Sequence, residues 1–302
     1  MTHYELISAN KRKSFFIILF FIAFIVFTTY IFAYSSGYGL DIVGIALIFA
    51  GIISFSSYYF SDKIILTLSS AKEATREKHF NFYTVTENIC IGQRMPKPKL
   101  YVIEDTAMNA FATGRDPEHA VICATTGLLD RLDRAELEGV VAHELSHIQN
   151  YDIRLMSIVT ILVGLVALLS DWMLRMTFLG RSKKKSKDSS GGQLQAIIFI
   201  VAIVLALLSP LIAQLIQLAI SRNREFLADA SGIGMTKNPN GLASALEKIS
   251  KDKEPLEAAN KATAHLYIAN PLKNTHSAIG WFAKMFNTHP PVNERIQTLR
   301  SM

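Results

Sequence analysis

The stretch VVAHELSHIQN, residues 140–150, places two histidines four positions apart around a glutamate. Residues four apart lie on the same face of an α-helix, so His143 and His147 can direct imidazole nitrogens at a single metal ion. Glu144 stands beside them, as in the HExxH pattern, in which the glutamate acts as a base. Because so short a pattern also arises by chance, a third ligand elsewhere in the chain has to support it.

Apolar residues are concentrated in a few long runs. The chain has 302 residues, of which 50% are apolar. Four runs approach or exceed the roughly 18 to 20 residues needed to cross a bilayer, at residues 14–34, 42–60, 155–174 and 194–220. The net charge of +6 fits Lys and Arg residues that flank these runs and face anionic lipid. Since no basic stripe with interleaved aromatic residues is present, we predict no nucleic-acid partner.

The first run follows the basic cluster Lys11, Arg12 and Lys13. It is too long for the apolar core of a secretory signal, and a second run follows almost at once, so a retained transmembrane hairpin is favoured over a cleaved signal. Basic residues before an even number of crossings place the following polar region in the cytoplasm. If the third and fourth runs cross the bilayer fully, the basic loop 180–193 lies outside the cytoplasm, against the tendency of basic loops to lie inside it. A shallow second hairpin is therefore the alternative.

Two polar regions alternate with the apolar runs. Neither region alone is long enough to bury an adequate hydrophobic core, so we expect the two to pack into one domain that carries the site. In the first region, KPKLYVIED, NAFATG and AVICATTGLL predict strands of a small antiparallel sheet beside helices. In the second region, NPNGLASALEKI is typical of an amphipathic packing helix. The predicted divisions are a transmembrane hairpin, the first part of the site-bearing domain, a second transmembrane hairpin and the second part of that domain, at residues 1–60, 61–152, 153–220 and 221–302.

A capping box predicts where the HExxH helix begins. Asp133 is followed three residues later by Glu136, a pair that caps helix N-termini reciprocally. Because no proline occurs between residues 134 and 163, we expect this helix to continue straight into the third apolar run. His147 then lies about 10 to 12 Å before the run begins at Leu155. The site is therefore predicted just outside the membrane.

The candidate third ligand lies in SRNREFLADA, residues 221–230, directly after the fourth apolar run. If the third and fourth runs go out and return as paired helices, Glu225 arrives at the height of the histidines. Asp229, one turn later, suits the role of accepting the spare N–H of a ligand imidazole. Glu144 then takes a proton from the metal-activated water and passes it to the leaving amine. The alternative is that Glu225 and Asp229 are solvated residues of a helix leaving the lipid.

The two cysteines do not add to this site. Cys90 and Cys123 show no CxxC spacing and allow at most one bridge. They are expected to be structural thiols rather than metal ligands.

The chain resembles a known family, the HtpX-type membrane zinc metalloproteases, which are related to the CAAX prenyl endopeptidases. The resemblance covers nearly the whole chain and rests on the N-terminal hairpin, NAFATG, HELSH, the second apolar pair, SRNREFLADA and THPPVNER. It implies an α-helical membrane protein with an α+β metalloprotease domain of the zincin-like (gluzincin) type and four transmembrane helices. It also implies one Zn2+ per subunit and a multi-pass location in the cell membrane, with the catalytic domain in the cytoplasm.

The resemblance also implies roles for residues that spacing does not assign. The strand with Asn109, Ala110 and Phe111 is in that family an exposed edge, on which substrate lies down as an added strand. A buried hairpin strand is the alternative for these residues. His289 and Arg295, in THPPVNER, are implied to lie near the zinc, where they stabilise the oxyanion or the fold around it. His289 is accordingly expected to be catalytic and Arg295 to be among the substrate-binding residues. From its residues alone, THPPVNER predicts the start of a helix, with Thr288 as the N-cap and prolines in the first turn.

The function that follows is a zinc metalloendopeptidase that cleaves misfolded or exposed segments of membrane proteins. The resemblance adds membrane protein quality control, a stress response and self-cleavage, with the membrane and unfolded proteins as partners. The alternative is a zinc-binding membrane scaffold or holdase without hydrolysis. Glu144 argues against it, because a structural site needs no base and prefers four protein ligands. The sequence makes no prediction of oligomeric state.

Overall fold

The computed structural model describes residues 3–36, 41–162, 222–252, 254, 256, 266–268 and 290–302. Up to the HExxH stretch the elements are α1 His3–Ser36, α2 Asp41–Tyr59, α3 Ser61–Leu68, β1 Lys72–Glu73, α4 Phe80–Gln93, β2 Lys99–Ile103, β3 Ala110–Gly114, β4 Ala120–Thr125, α5 Thr126–Arg131 and α6 Arg134–Gln149. After it come a helical segment at residues 152–162 and the helices α7 Arg222–Thr236, α8 Pro239–Lys251 and α9 Val292–Arg300.

The first two apolar runs form the helices α1 and α2, which pack against each other. Large apolar side chains on both helices are exposed, among them Phe15, Phe16, Ile48 and Phe49. Within the described ranges, no single helix combines the length and apolar character for a bilayer crossing. Residues 43–59 and 61–68 do so together, as a pair bent by 81°. The third run is described only as far as residue 162, and the fourth run and the basic loop 180–193 lie outside the described residues.

The strands form one four-stranded sheet in the order β1-β2-β4-β3. The three predicted strand stretches are all present, but the sheet is mixed, so the prediction of an antiparallel sheet is wrong in one pairing. β1 pairs antiparallel with β2 and β3 pairs antiparallel with β4, whereas β2 and β4 are parallel. The chain reverses after β3 at Gly114, with φ of +136°, and β4 then inserts between β2 and β3. The chain also reverses between β2 and β3, so β2 and β4 are separated by two reversals and run parallel.

The core lies where α6 packs against α4, α7, α8 and the sheet. NPNGLASALEKI forms α8, whose apolar face is buried on α6, as the pattern predicts. The two helices approach closely because glycines lie at the crossing. A Cβ at Gly139 would be 2.6 Å from the Leu242 nitrogen, and one at Gly241 would be 2.5 Å from the Ala135 oxygen. Both cysteines are free and buried, and burial raises the pKa of Cys90 to about 11 despite the charge of Lys97.

The capping box at the start of α6 is confirmed. The Asp133 carboxylate accepts from the Glu136 nitrogen at 2.9 Å, and the Glu136 carboxylate accepts from the Asp133 nitrogen at 2.8 Å. The expected straight continuation into the third apolar run is wrong. The helix ends at Gln149, and Tyr151 has a left-handed φ of 60° before helical geometry resumes at residue 152. Contacts with α1 hold this turn, because the Lys11 ammonium lies 4.4 Å from the centre of the Tyr151 ring.

Candidate metal centre

Three side chains from two helices converge in the interior. His143 and His147 lie one turn apart on α6, and their Nε2 atoms are 3.2 Å apart. Glu225 of α7 places Oε2 3.7 Å from His143 Nε2 and Oε1 3.6 Å from His147 Nε2. The two helices can approach because position 232 is glycine, where a Cβ would be only 3.1 Å from the His143 nitrogen. The sequence prediction that Glu225 reaches the histidines agrees with this placement.

The other nitrogen of each imidazole is held by a carboxylate. His143 Nδ1 is 2.9 Å from Asp229 Oδ1, and His147 Nδ1 is 3.0 Å from Asp152 Oδ2. Because an ionised carboxylate only accepts hydrogen bonds, each Nδ1 carries the hydrogen and donates it. In a neutral ring held in this way Nε2 keeps its lone pair, and the two Nε2 atoms face each other.

These distances fit a metal ion. Two lone pairs cannot hydrogen-bond each other, so a separation of 3.2 Å is favourable only with a proton or a cation between the rings. Two nitrogens that each lie about 2.0 to 2.1 Å from a tetrahedral metal ion are about 3.3 to 3.4 Å apart. Ligand atoms of His143, His147 and Glu225 all lie within 4.8 Å of one another. The residues present therefore match a site with three protein ligands.

Asp229 is fixed by a second partner, Arg295 of α9. The guanidinium donates to both carboxylate oxygens, from Nε at 2.8 Å and from Nη2 at 2.6 Å. Burial acts to raise the pKa of Asp229, but the Arg295 charge and the hydrogen bond from His143 outweigh it and lower the pKa to about 2. Arg295 Nη1 also lies 3.6 Å from Glu225 Oε2. Arg295 is completely buried, so these contacts support the fold around the site rather than contact with substrate.

Asp152 is a residue of the site that sequence reasoning missed. On a continuous helix it would lie about 140° around the axis from His147, on a different face. The turn at Tyr151 brings it back to the imidazole. Burial acts to lower the pKa of His147, but the Asp152 hydrogen bond and the charge of Glu225 outweigh it and raise the pKa to about 9. The sequence does show a carboxylate five residues after the second histidine. The expectation of a straight helix placed it on the wrong face, so it was not considered.

Glu144 lies on α6 between the two histidines and is 3% exposed. Burial raises the pKa of Glu144, and the neighbouring charge of Glu225 adds to this effect. The charges of His143, His147 and Arg295 oppose it without cancelling it. A carboxylate with a raised pKa can accept and return a proton closer to neutral pH, as a general base and acid must.

The structure places the predicted substrate strand at the edge of the sheet but buries it. Ala110 and Phe111 belong to β3, whose five residues are all buried, and Asn109 directly precedes it. The three residues are buried, as in the alternative of a buried strand, and residues 266–268 contact Ala110 and Phe111. Ile268 donates its backbone hydrogen to the Ala110 carbonyl at 3.0 Å, and the Tyr267 ring packs edge-on against Phe111. His289 lies outside the described residues.

Comparison with known proteins identifies the family. The sequence profile of "Peptidase family M48" matches residues 81–302, which include the three converging side chains and Arg295. The chain is 45% identical to a "Protease HtpX homolog" of Dictyoglomus turgidum, over 100% of this chain and 95% of that one. It is 41% identical to a protein of the same description from Thermoanaerobacter pseudethanolicus, over 100% and 98%.

A solved structure shares the fold. The crystal structure of S. mikatae Ste24p superimposes with a TM-score of 0.50 and 19% identity, over 98% of this chain and 67% of that one. The family predicted from the motifs is confirmed by these matches. The chain belongs to peptidase family M48, among the HtpX-type metalloproteases.

Proposed function

We propose that the protein is a zinc-dependent endopeptidase anchored in the cell membrane, with its catalytic domain in the cytoplasm. The observation that carries the proposal is the pair of Nε2 atoms 3.2 Å apart beside the Glu225 carboxylate, with both Nδ1 atoms tied to carboxylates. Two nitrogens and one carboxylate suit zinc, and three protein ligands leave a position open for water. A bound zinc ion supplies Lewis acidity and activates that water.

The residues of this chain have distinct roles in the proposed hydrolysis. Glu144 takes the proton of the attacking water and delivers it to the leaving amine. Its raised pKa supports both halves of this transfer. Asp229 and Asp152 fix the ligand tautomers, and Arg295 balances the negative charge that Asp229 and Glu225 concentrate in the interior. His289 is proposed to stabilise the oxyanion, as the resemblance to the family implies.

Substrate is proposed to add as a strand along β3. The Asn109 carbonyl accepts from the Thr125 nitrogen on the β4 side, and successive carbonyls of a strand point to opposite sides. The Ala110 carbonyl therefore points to the outer edge of the sheet, where it accepts from Ile268. A peptide that displaces residues 266–268 would take over that hydrogen bond and lie beside Phe111. Misfolded or exposed segments of membrane proteins, and segments of the protein itself, are the proposed substrates in membrane quality control under stress.

The test is cleavage of an unfolded casein-like substrate by the full chain, purified in detergent with zinc. Glu144→Gln should retain zinc and lose activity by about 10²- to 10⁴-fold, the usual contribution of general acid–base catalysis. Glu225→Ala should lose zinc. Glu138→Gln is the matched control, because Glu138 lies on the same helix but at the surface, paired with Arg134.

Equal cleavage by the wild type and Glu144→Gln would refute the proposed mechanism. Unchanged zinc content in Glu225→Ala would refute the third ligand. A wild type that binds zinc without cleaving would instead be the scaffold that the sequence left as an alternative.

A further inference from the structure

We propose that Asn10 of α1 is a positioning residue of the metal centre, which sets the orientation of His147 through Asp152. The inference rests on the proposed zinc function of that site. It assigns to the N-terminal hairpin a part in catalysis besides anchoring.

The Asn10 side chain is buried and fully engaged. It is 4% exposed, and its Nδ2 donates to Asp152 Oδ1 at 2.8 Å and to the Asn150 carbonyl at 2.9 Å. A side-chain amide nitrogen carries two hydrogens, so these two bonds use both. Both acceptors are oxygens that cannot donate, so the amide can only be oriented with its nitrogen toward them. The contact therefore requires a group that donates two hydrogen bonds.

Asp152 transmits this contact to the metal ligand. Its Oδ2 accepts from His147 Nδ1 at 3.0 Å, while its Oδ1 accepts from Asn10 and lies 3.2 Å from Arg224 Nε. A carboxylate held from α1, α6 and α7 at once has one rotational position. Without Asn10, Oδ1 keeps its contact with Arg224 among the described residues, and we expect the carboxylate to turn toward α7 and away from the His147 ring.

The turn at Tyr151 explains why a group from α1 is required. Asp152 reaches His147 only because the chain breaks between α6 and the next helical segment. Asn10 spans this break, since it binds Asn150 on one side and Asp152 on the other. It thereby holds the left-handed turn and the carboxylate in one geometry. Residues 140 and 142 positions apart in the sequence make these contacts, so the docking of α1 is part of the site.

The test compares Asn10→Ala, Asp152→Ala and the double variant in the full-length protein in detergent. Zinc affinity is measured by competition with a chelator, and the melting temperature is measured on the metal-free protein. Asp152→Ala should bind zinc about 10- to 100-fold more weakly and Asn10→Ala about tenfold more weakly, as for other partners of ligand histidines. The double variant should match Asp152→Ala, because two residues that act through one contact are not additive.

Ser14→Ala is the matched control. Ser14 is equally buried one turn further along α1, and its hydroxyl donates to the Asn10 carbonyl rather than to Asp152. Its zinc affinity should equal that of the wild type. Asn10→Leu fills the same volume without a donor, and it replaces Asn10→Ala if that variant does not fold.

Three results are decisive. Wild-type zinc affinity in Asn10→Ala or Asn10→Leu would overturn the inference while leaving the proposed function intact. An equal further loss of affinity when Asn10→Ala is added to Asp152→Ala would also overturn it, because Asn10 would then act only by docking α1. A wild type that binds no zinc would overturn the proposed function and this inference together.

Discussion

Asp229 connects a metal ligand to a buried guanidinium, and its replacement should affect both. In Asp229→Asn, His143 loses the carboxylate on its Nδ1, and Arg295 loses its bidentate partner in the interior. An uncompensated buried charge typically costs about 3 to 5 kcal/mol. Zinc affinity should fall about 10- to 100-fold, as for other partners of ligand histidines. Denaturant unfolding and chelator competition measure the two effects.

Asp130→Asn is the control for this substitution, because Asp130 is exposed at the end of α5. It should leave stability and zinc affinity unchanged. The double variant Asp229→Asn/Arg295→Gln should regain part of the stability but none of the zinc affinity, since the charge is removed but the carboxylate is not restored. Full zinc affinity in Asp229→Asn would contradict its role in orienting His143.

His147 makes zinc binding dependent on pH. Burial lowers its pKa, but the Asp152 hydrogen bond and the Glu225 charge outweigh this and raise the pKa to about 9. In the metal-free protein the ring is therefore protonated on both nitrogens at neutral pH. Zinc must displace the proton on Nε2. Zinc affinity should rise with pH up to about 9, and about one proton should be released per zinc at pH 7.5. Calorimetry in buffers of different ionisation enthalpy measures this release, and identical heats in all buffers would contradict it.

The raised pKa of His147 makes the stability of the metal-free protein fall as pH rises, whereas zinc affinity rises. Protonated His147 stabilises the folded protein, and this stabilisation is complete at pH values below 6.5, the ordinary pKa of histidine. It is lost as pH rises through about 9, the pKa in the folded protein. The zinc-loaded protein, whose His147 is neutral, should lack this loss. Melting curves of both forms between pH 6 and pH 10 compare them.

At the residue scale, helical spacing was enough to find the convergent ligands. His143 and His147 follow from one-turn periodicity. Glu225 follows from the expectation that the third and fourth apolar runs return as a helical pair to the same height, and these runs lie largely outside the described residues. Asp152 and Asn10 could not be found in this way. Their positions depend on a left-handed turn at a tyrosine and on the docking of a helix 142 residues away, and neither leaves a periodic pattern.

The crossing of α6 and α8 depends on small residues. Gly139→Ala should destabilise the protein, because its Cβ would be 2.6 Å from the Leu242 backbone nitrogen and the helices would have to separate. Overpacking of a close crossing typically costs about 1 to 3 kcal/mol. Gly234→Ala on α7 is the matched control, since nothing lies within 4 Å of its Cβ. It should be neutral or stabilising by up to about 1 kcal/mol. Thermal melts that rank Gly139→Ala at or above Gly234→Ala would contradict the tight crossing.

At the element scale, strands and helices were predicted where the pattern is local. The capping box at Asp133 and the strand stretches needed only neighbouring residues. The parallel pairing of β2 with β4 was not predictable, because it depends on β4 inserting between β2 and β3 rather than adding outside β3. The end of α6 at Gln149 was also missed, since neither glycine nor proline marks it and the stabilising contacts come from α1.

At the scale of the whole molecule, the exposed apolar faces of α1 and α2 predict integration into a membrane. The protein should remain in the pellet after alkaline carbonate extraction. Ile48→Asp should reduce that fraction, because Ile48 lies mid-way along α2 with 63% of its surface exposed. A charge at the centre of a transmembrane helix costs about 2.5 to 3.5 kcal/mol of insertion free energy. Ile91→Asp is the control, since Ile91 is at least as exposed, at 72%, but lies on α4. Extraction of the wild type by carbonate would contradict the anchor.

The position of Arg295 in the chain has a consequence for the order of synthesis. It follows Asp229 by 66 residues, so a growing chain contains all three proposed zinc ligands well before it contains this guanidinium. Until α9 has been translated and packed, Asp229 and Glu225 lack the buried positive charge that Arg295 supplies to both. A nascent chain therefore carries an unfinished site until α9 has docked and Arg295 has reached Asp229.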